Sequence, residues 1–211
     1  MGYEVSQATV AKYLPKNRQP PSQTWRTFLA NHVPDIAAID FFTVPTLTFG
    51  VLYGFVILRH DQRQVVHFNV TQHPTAQWTV QQTVDAFPFD EAPQYLLRDR
   101  DQIYGAYFRQ RVKHMGMEEV VIAPQSPWQN PYAECLIGTL RRELLDRVIV
   151  LNAVHLRRFM SSYLAYYHTV RPYLSLDRNA PIPRPILGPS EGTVMAIQHV
   201  GGLHHSYRHV A

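Results

Sequence analysis

A single cysteine, Cys135, stands in 211 residues. One thiol cannot build a disulfide framework, and a zinc cluster of paired cysteines is excluded with it. No apolar run approaches the roughly 20 residues needed to span a bilayer, and the N-terminus lacks the apolar core of a secretory signal. The expectation is therefore a cytosolic protein with no membrane partner. Lysine is nearly as scarce: three of the 20 basic residues are Lys, and charged residues make up only 17% of the chain. No internal repeat is present, which sets aside solenoids and propellers.

What is there is apolar substance and arginine. Hydrophobic residues reach 45%, enough for a real core in one domain with appendages. The net charge of +4 is modest, but its distribution is uneven. Between Arg141 and Arg184 lie eight arginines against Glu143, Asp146 and Asp177, so this segment supplies the excess. Arginine offers a planar fork suited to phosphate, and such a face fits a polyanion such as nucleic acid, or simply a solvated surface.

The chain divides by composition. Residues 3–14 read as a short helix with Ser6 as N-cap, followed by a Pro-rich linker. The runs 36–44, 50–60 and 64–71 are β-rich and separated by short breaks, as in an antiparallel meander. A helix over 75–87, a buried strand at 94–98, a helix over 104–114 and a fifth strand at 118–123 follow. Apolar residues at helical spacing predict long helices over 131–148 and 153–170. After the Pro-rich 180–189, the last segment predicts a hairpin turning at Gly201-Gly202. The pattern is an α/β fold, a mixed five-stranded sheet with flanking helices and a C-terminal β-hairpin tail.

Three carboxylates stand where chemistry could use them. Asp40 lies inside an apolar strand, where an unpaired charge costs several kcal/mol and calls for a partner such as a divalent cation. Asp99 directly follows the strand at 94–98, at a sheet's carboxyl edge. Glu134 opens the first long helix, and helical periodicity places Asn130, Gly138 and Arg141 near its azimuth. Gly138 leaves room for an approaching group, and Arg141 can reach a phosphate. Hard oxygen ligands of this kind suit Mg²⁺ or Mn²⁺. The same residues also admit a plain structural reading: Asp40 capping a turn, Asp99 paired with Arg98, Glu134 paired with Arg141. In the stretch 96–105, Asp99 and Asp101 compete for the role of ligand. The histidines His199, His204, His205 and His209 crowd the tail, but His204 and His205 alternate across a strand and make a poor ligand pair.

The segment "SPWQNPYAECLIGTLRRELL" (126–145) resembles the integrase catalytic core of insertion-sequence transposases and retroviral integrases. The matching positions are Asn130, Ala133, Glu134, Leu140, Arg141, Arg142 and Glu143. "YLAYYHTVRPYLSLDRNAP" (163–181) is similar to the downstream Arg-Pro signature of that group. Cys135 replaces the usual Arg after the Glu, and Tyr173 replaces the usual His. The resemblance implies a ribonuclease H-like fold and an Asp-Asp-Glu triad at Asp40, Asp99 and Glu134, serving as both catalytic residues and metal ligands. Asp99 lies 35 residues before Glu134 and five before Tyr104, which favours it over Asp101 and leaves Asp101 as a turn residue. It further implies two Mg²⁺ or Mn²⁺ ions, cleavage and strand transfer of a mobile element's double-stranded DNA ends into target DNA, and assembly as a homo-oligomer on DNA. Asn130, Arg141, Arg142 and Arg171 are the candidate DNA contacts, and Arg98 and Arg100 are expected to meet phosphate beside the triad. The expected layout is a partial helix-turn-helix and linker (1–22), a catalytic core (23–187) and a hairpin tail (188–211), in a bacterial, nucleoid-associated protein. Two other readings remain: a ribonuclease H-like nuclease that cuts without joining, and a truncated inactive DNA-binding remnant.

Overall fold

The computed structural model describes residues 23–88, 91–185 and 193–210. The helix expected at 3–14 lies outside them. The chain divides into two compact units, 1–32 and 33–211. In the first, a helix that the sequence pattern did not predict, α1 (Trp25–His32), starts where the Thr24 hydroxyl accepts the Thr27 N–H, and Trp25 stacks on Phe28.

The second unit is built on a five-stranded sheet: β1 (Ile36–Pro45), β2 (Val51–Arg59), β3 (Val65–Thr71), β4 (Tyr95–Arg98) and β5 (Glu118–Val121), in the order β3-β2-β1-β4-β5. The first three form the expected antiparallel meander, while β4 and β5 pair in parallel beyond β1. β1 thus joins an antiparallel half to a parallel half. In the β1–β2 register Phe42 faces Gly54 across the ladder. A Cβ on Gly54 would stand 2.3 Å from the Phe42 ring, so only glycine lets that ring lie over the neighbouring strand.

Helices cover both faces. On one side, α2 (Ala76–Ala86) and α3 (Ala106–His114) pack on Ala37, Ile39, Phe55, Ile57 and Leu96. On the other, α4 (Pro131–Glu143) and α5 (Ala153–Thr169) pack on Phe42, Val44, Leu52, Val56 and Val70. Thr75 caps α2 through the Trp78 N–H and Asn152 caps α5 through the His155 N–H. The helix expected to run to Val148 stops at Glu143: Leu144 leaves helical geometry, and a 3-10 turn follows over Leu145–Arg147. Leu144 is still buried and Val148 half-buried against the same core, which is why the apolar spacing carried on past the helix end.

The predicted hairpin is present as β6 (Thr193–His199) and β7 (His204–Val210), with Gly201 and Gly202 at positive φ in the turn. It packs within the second unit. Val200 is buried in the α5-side core, and the His204 ring stacks on Tyr166 at 4.6 Å and 11°. His205, its neighbour on the strand, is exposed. No helix among the described residues is long and apolar enough to cross a membrane.

Candidate active site

Alternation along β1 puts Asp40 on the face shared by Phe42 and Val44, beneath α4. β4 runs parallel to β1 with Ala38 opposite Leu97. Carried two residues further, this register sets Asp99 level with Asp40, just past the carboxyl end of β4. Glu134 comes from the first turn of α4. All three carboxylates line one cleft of about 290 Å³, walled by the 122–127 turn and by Asn130. Asp40 and Asp99 also edge an adjoining cleft of about 640 Å³, where Arg141 lies.

The electrostatics of this arrangement centre on Asp40. Burial, then the nearby Glu134 and Asp99 carboxylates, push its carboxyl up to about 7, against a partial offset from the Phe41 N–H. A group in this position is relieved only by a proton or a cation. One oxygen of each aspartate is already turned to backbone: Asp40 Oδ1 accepts the Phe41 N–H at 2.8 Å, and Asp99 Oδ1 accepts the Asp101 N–H at 3.1 Å. Among the described residues no three His, Cys, Asp or Glu side chains are grouped so as to hold an ion as they stand. The oxygen chemistry of the donors suits a hard divalent cation, and a turn of these side chains would be needed to close a ligand set. A second observation supports a guest in the cleft. Asn130 is 1% exposed, and neither its amide nitrogen nor its amide oxygen has a partner. A buried amide left unpaired costs of order 1–3 kcal/mol, which a ligand in the cleft would recover.

The two aspartates of the 96–105 stretch are not equivalent. Asp101 Oδ1 accepts the Ile103 N–H and its carbonyl accepts the Tyr104 N–H, so it builds the turn into α3. Tyr104 is buried under that turn beside Phe41 and Phe108.

Several residues expected at DNA or phosphate make contacts within the chain. Arg98, expected to meet phosphate, is 5% exposed, bonds Glu119 at 2.6 Å and the Asp99 carbonyl at 2.8 Å, and lies over the Tyr104 ring. It fixes the backbone that carries Asp99. Arg171, expected at DNA, is held by Glu143 through Nε and Nη2. Asn130, also expected at DNA, lines the acidic cleft. Arg141 and Arg142 are exposed, but the space over Gly138 that was expected to admit a ligand is filled by the Arg142 guanidinium. Arg100 lines the acidic cleft while its Nε donates to the Ile122 carbonyl. Trp128, 68% exposed on the turn beside the cleft, escaped the sequence reading, because a lone Trp in a loop carries no periodicity.

Residues 115–181 match the family model of the integrase core domain. No functionally curated protein is similar enough in sequence to be matched. Among solved structures, a chain of the simian T-cell lymphotropic virus intasome in complex with PP2A regulatory subunit B56γ is similar with a TM-score of 0.57 and 13% identity. The likeness covers 78% of this chain and 62% of that one, so this chain spans less than two thirds of its length. The catalytic core domain of HTLV-2 integrase, solved with magnesium, gives a TM-score of 0.51 at 13% identity, over 67% of this chain and 91% of that core. The catalytic domain of Mos1 mariner transposase gives 0.57 at 14%, over 67% and 77%. Residues 115–181 thus match the integrase core domain, and the fold across the sheet is that of retroviral integrase and mariner transposase catalytic cores.

Proposed function

We propose that the chain is a divalent-metal-dependent polynucleotidyl transferase that cuts and joins DNA at the Asp40–Asp99–Glu134 cleft. The observation that carries this reading is the convergence of three carboxylates from two strands and a helix on one cleft, where burial and then the Glu134 and Asp99 carboxylates push the Asp40 carboxyl up to about 7. The integrase core match and the HTLV-2 core solved with magnesium support the same chemistry. Asp40, Asp99 and Glu134 would hold Mg²⁺ or Mn²⁺, two ions in the reading from resemblance. The metal would supply activation of the attacking oxygen and charge neutralisation at the phosphorus.

The chain's own residues set the stage. Arg98 locks the Asp99 backbone to β5 through Glu119, so the carboxylate is held against the sheet edge. The unpaired Asn130 amide offers one donor and one acceptor to whatever enters. Arg141, on the adjoining cleft, is placed to meet a phosphate of the bound strand. In cleavage, a water oxygen bonds to phosphorus and the P–O3′ bond breaks, leaving a 3′-hydroxyl and a 5′-phosphate. In joining, that 3′-oxygen bonds to the phosphorus of a second strand as its P–O3′ bond breaks. Neither step needs an external energy source: hydrolysis of a phosphodiester runs downhill, and in joining one phosphodiester replaces another.

The test uses supercoiled plasmid with Mn²⁺ or Mg²⁺, and a labelled oligonucleotide bearing a free 3′-hydroxyl. The wild type should nick the plasmid and yield labelled joined product. Asp99→Asn and Glu134→Gln should each lose both by about 100-fold or more, the scale of removing an electrostatic stabiliser. Variants that nick and join as well as the wild type would sink the assignment. Nicking without joined product would favour the nuclease reading.

A further inference from the structure

A second cleft, of about 690 Å³, shares no lining residue with the acidic one. It lies where the C-terminal end of α5 meets the 177–185 loop and β7, and it gathers Arg178, Arg184 and Arg208. Arg208 comes from a strand more than 20 residues beyond the other two, so the fold rather than the sequence makes this cluster. All three are exposed, and none of the guanidinium groups has a carboxylate or hydrogen-bond partner among the described residues. Among the described residues the only acid on the cleft wall is Asp177, and it forms no ion pair with them. Elsewhere in this unit three arginines are ion-paired, Arg98 with Glu119, Arg171 with Glu143 and Arg59 with Asp61.

The loop is also held in an uncommon backbone. Asp177 and Arg178 are consecutive non-glycine residues at φ 52 and 62. Each such residue costs on the order of 1–3 kcal/mol, and such strain collects at ligand sites. The turn is locked by Arg178 N–H to Tyr173 O at 2.8 Å, Asn179 N–H to Leu176 O at 2.8 Å and Tyr173 N–H to Asn179 O at 2.9 Å. A cleft of this size takes a ligand far larger than one inorganic phosphate. Several unpaired guanidinium forks around it match a run of phosphodiesters.

We propose that this arginine cleft is a second DNA-binding site, gripping the sugar–phosphate backbone apart from the acidic cleft and without reading bases. The choice of DNA rests on the proposed function, so the test separates the two. Binding of a fluorescein-labelled duplex is followed by anisotropy in EDTA, where no strand is cut, across a KCl series. The plot of log affinity against log salt should lose about 0.9 of slope for each arginine removed, hence about 2.7 in the triple Ala variant at 178, 184 and 208. The triple Lys variant, which keeps the charge, should retain most of the slope. Asp177→Asn should tighten binding several-fold, since it removes the one repelling carboxylate and keeps a residue that tolerates positive φ.

An unchanged slope in the triple Ala variant overturns the proposal. So does an equal loss per charge from Arg158→Ala, whose exposed guanidinium is outside the cleft, because that would reduce the effect to bulk charge. Inorganic phosphate that displaces the duplex at equal ionic strength would make this a small-anion site, and the proposal would fail. Should Asp99→Asn keep full nicking activity, the catalytic assignment falls while this binding result stands.

Discussion

Half-buried Asp40 and buried His60 are two ionisable groups with opposite leanings. Asp40 is held protonated by its surroundings, its carboxyl raised from 3.8 to about 7. The metal-free folded state therefore binds that proton more tightly than the unfolded chain. This contribution to stability is full below about 3.8 and is lost as pH rises through about 7. Asp40→Asn should make the metal-free protein more stable at pH 8 by roughly 2–4 kcal/mol, and flatten the decline between pH 5 and 8 seen by urea unfolding. His60 is 1% exposed with both ring nitrogens unpartnered, packed 4.4 Å from Tyr132, and burial then Arg63 lower it to about 4. Its contribution is present above about 6.5 and lost as pH falls through about 4. His60→Leu should therefore remove part of the acid limb of the stability curve while leaving the alkaline limb as it was. An acid limb of unchanged steepness in His60→Leu would refute the assignment.

At the scale of elements, α4 carries Glu134 at one end and Glu143 at the other. Glu143 accepts Tyr163 O–H at 2.7 Å and the Arg171 fork, its carbonyl meets His204 Nε2 at 3.0 Å, and Arg171 lies over the Tyr173 ring. Helix end, α5, the Arg-Pro segment and the hairpin are tied at this one residue. Glu143→Ala should cost about 2–3 kcal/mol, because it strands a half-buried guanidinium and a buried phenol. Glu143→Gln should recover part of that by keeping the hydrogen bonds, with denaturant midpoints as the measure. Gly54→Ala should be costly for a different reason, overlap with the Phe42 ring.

The elements themselves were largely legible in the sequence, since period-two and helical patterns in 36–71 and 131–170 report burial directly. So was the convergence of Asp40, Asp99 and Glu134, through strand position and resemblance. What the sequence did not disclose is where each arginine's charge goes. Arg98 and Arg171 look like free cations on paper, yet each is held by a glutamate 21 or 28 residues away. Pairings at such separations leave no local pattern. The Arg178–Arg184–Arg208 cleft was hidden likewise, showing only as a regional excess of charge.

For the molecule as a whole, the unit from Val33 onward contains the sheet, both helical layers and the hairpin. A fragment covering 33–211 is expected to fold on its own and to unfold in one transition, by coincident far-ultraviolet and tyrosine signals; two separated transitions would contradict this.

The parallel pairing of β1 with β4 acts, finally, as a ruler. Ala38 opposite Leu97 sets the distance at which two segments far apart in the chain arrive level. Side chains alternate across a strand, so lengthening β4 by a single residue would leave the ladder intact and yet turn the wrong face to Glu134. One alanine inserted between Arg98 and Asp99 should spare folding and abolish nicking, whereas one inserted after Gln62, in the turn between β2 and β3, should leave both folding and nicking intact. The tolerance of this fold to length changes is thus set by counting along one strand rather than by how much is buried.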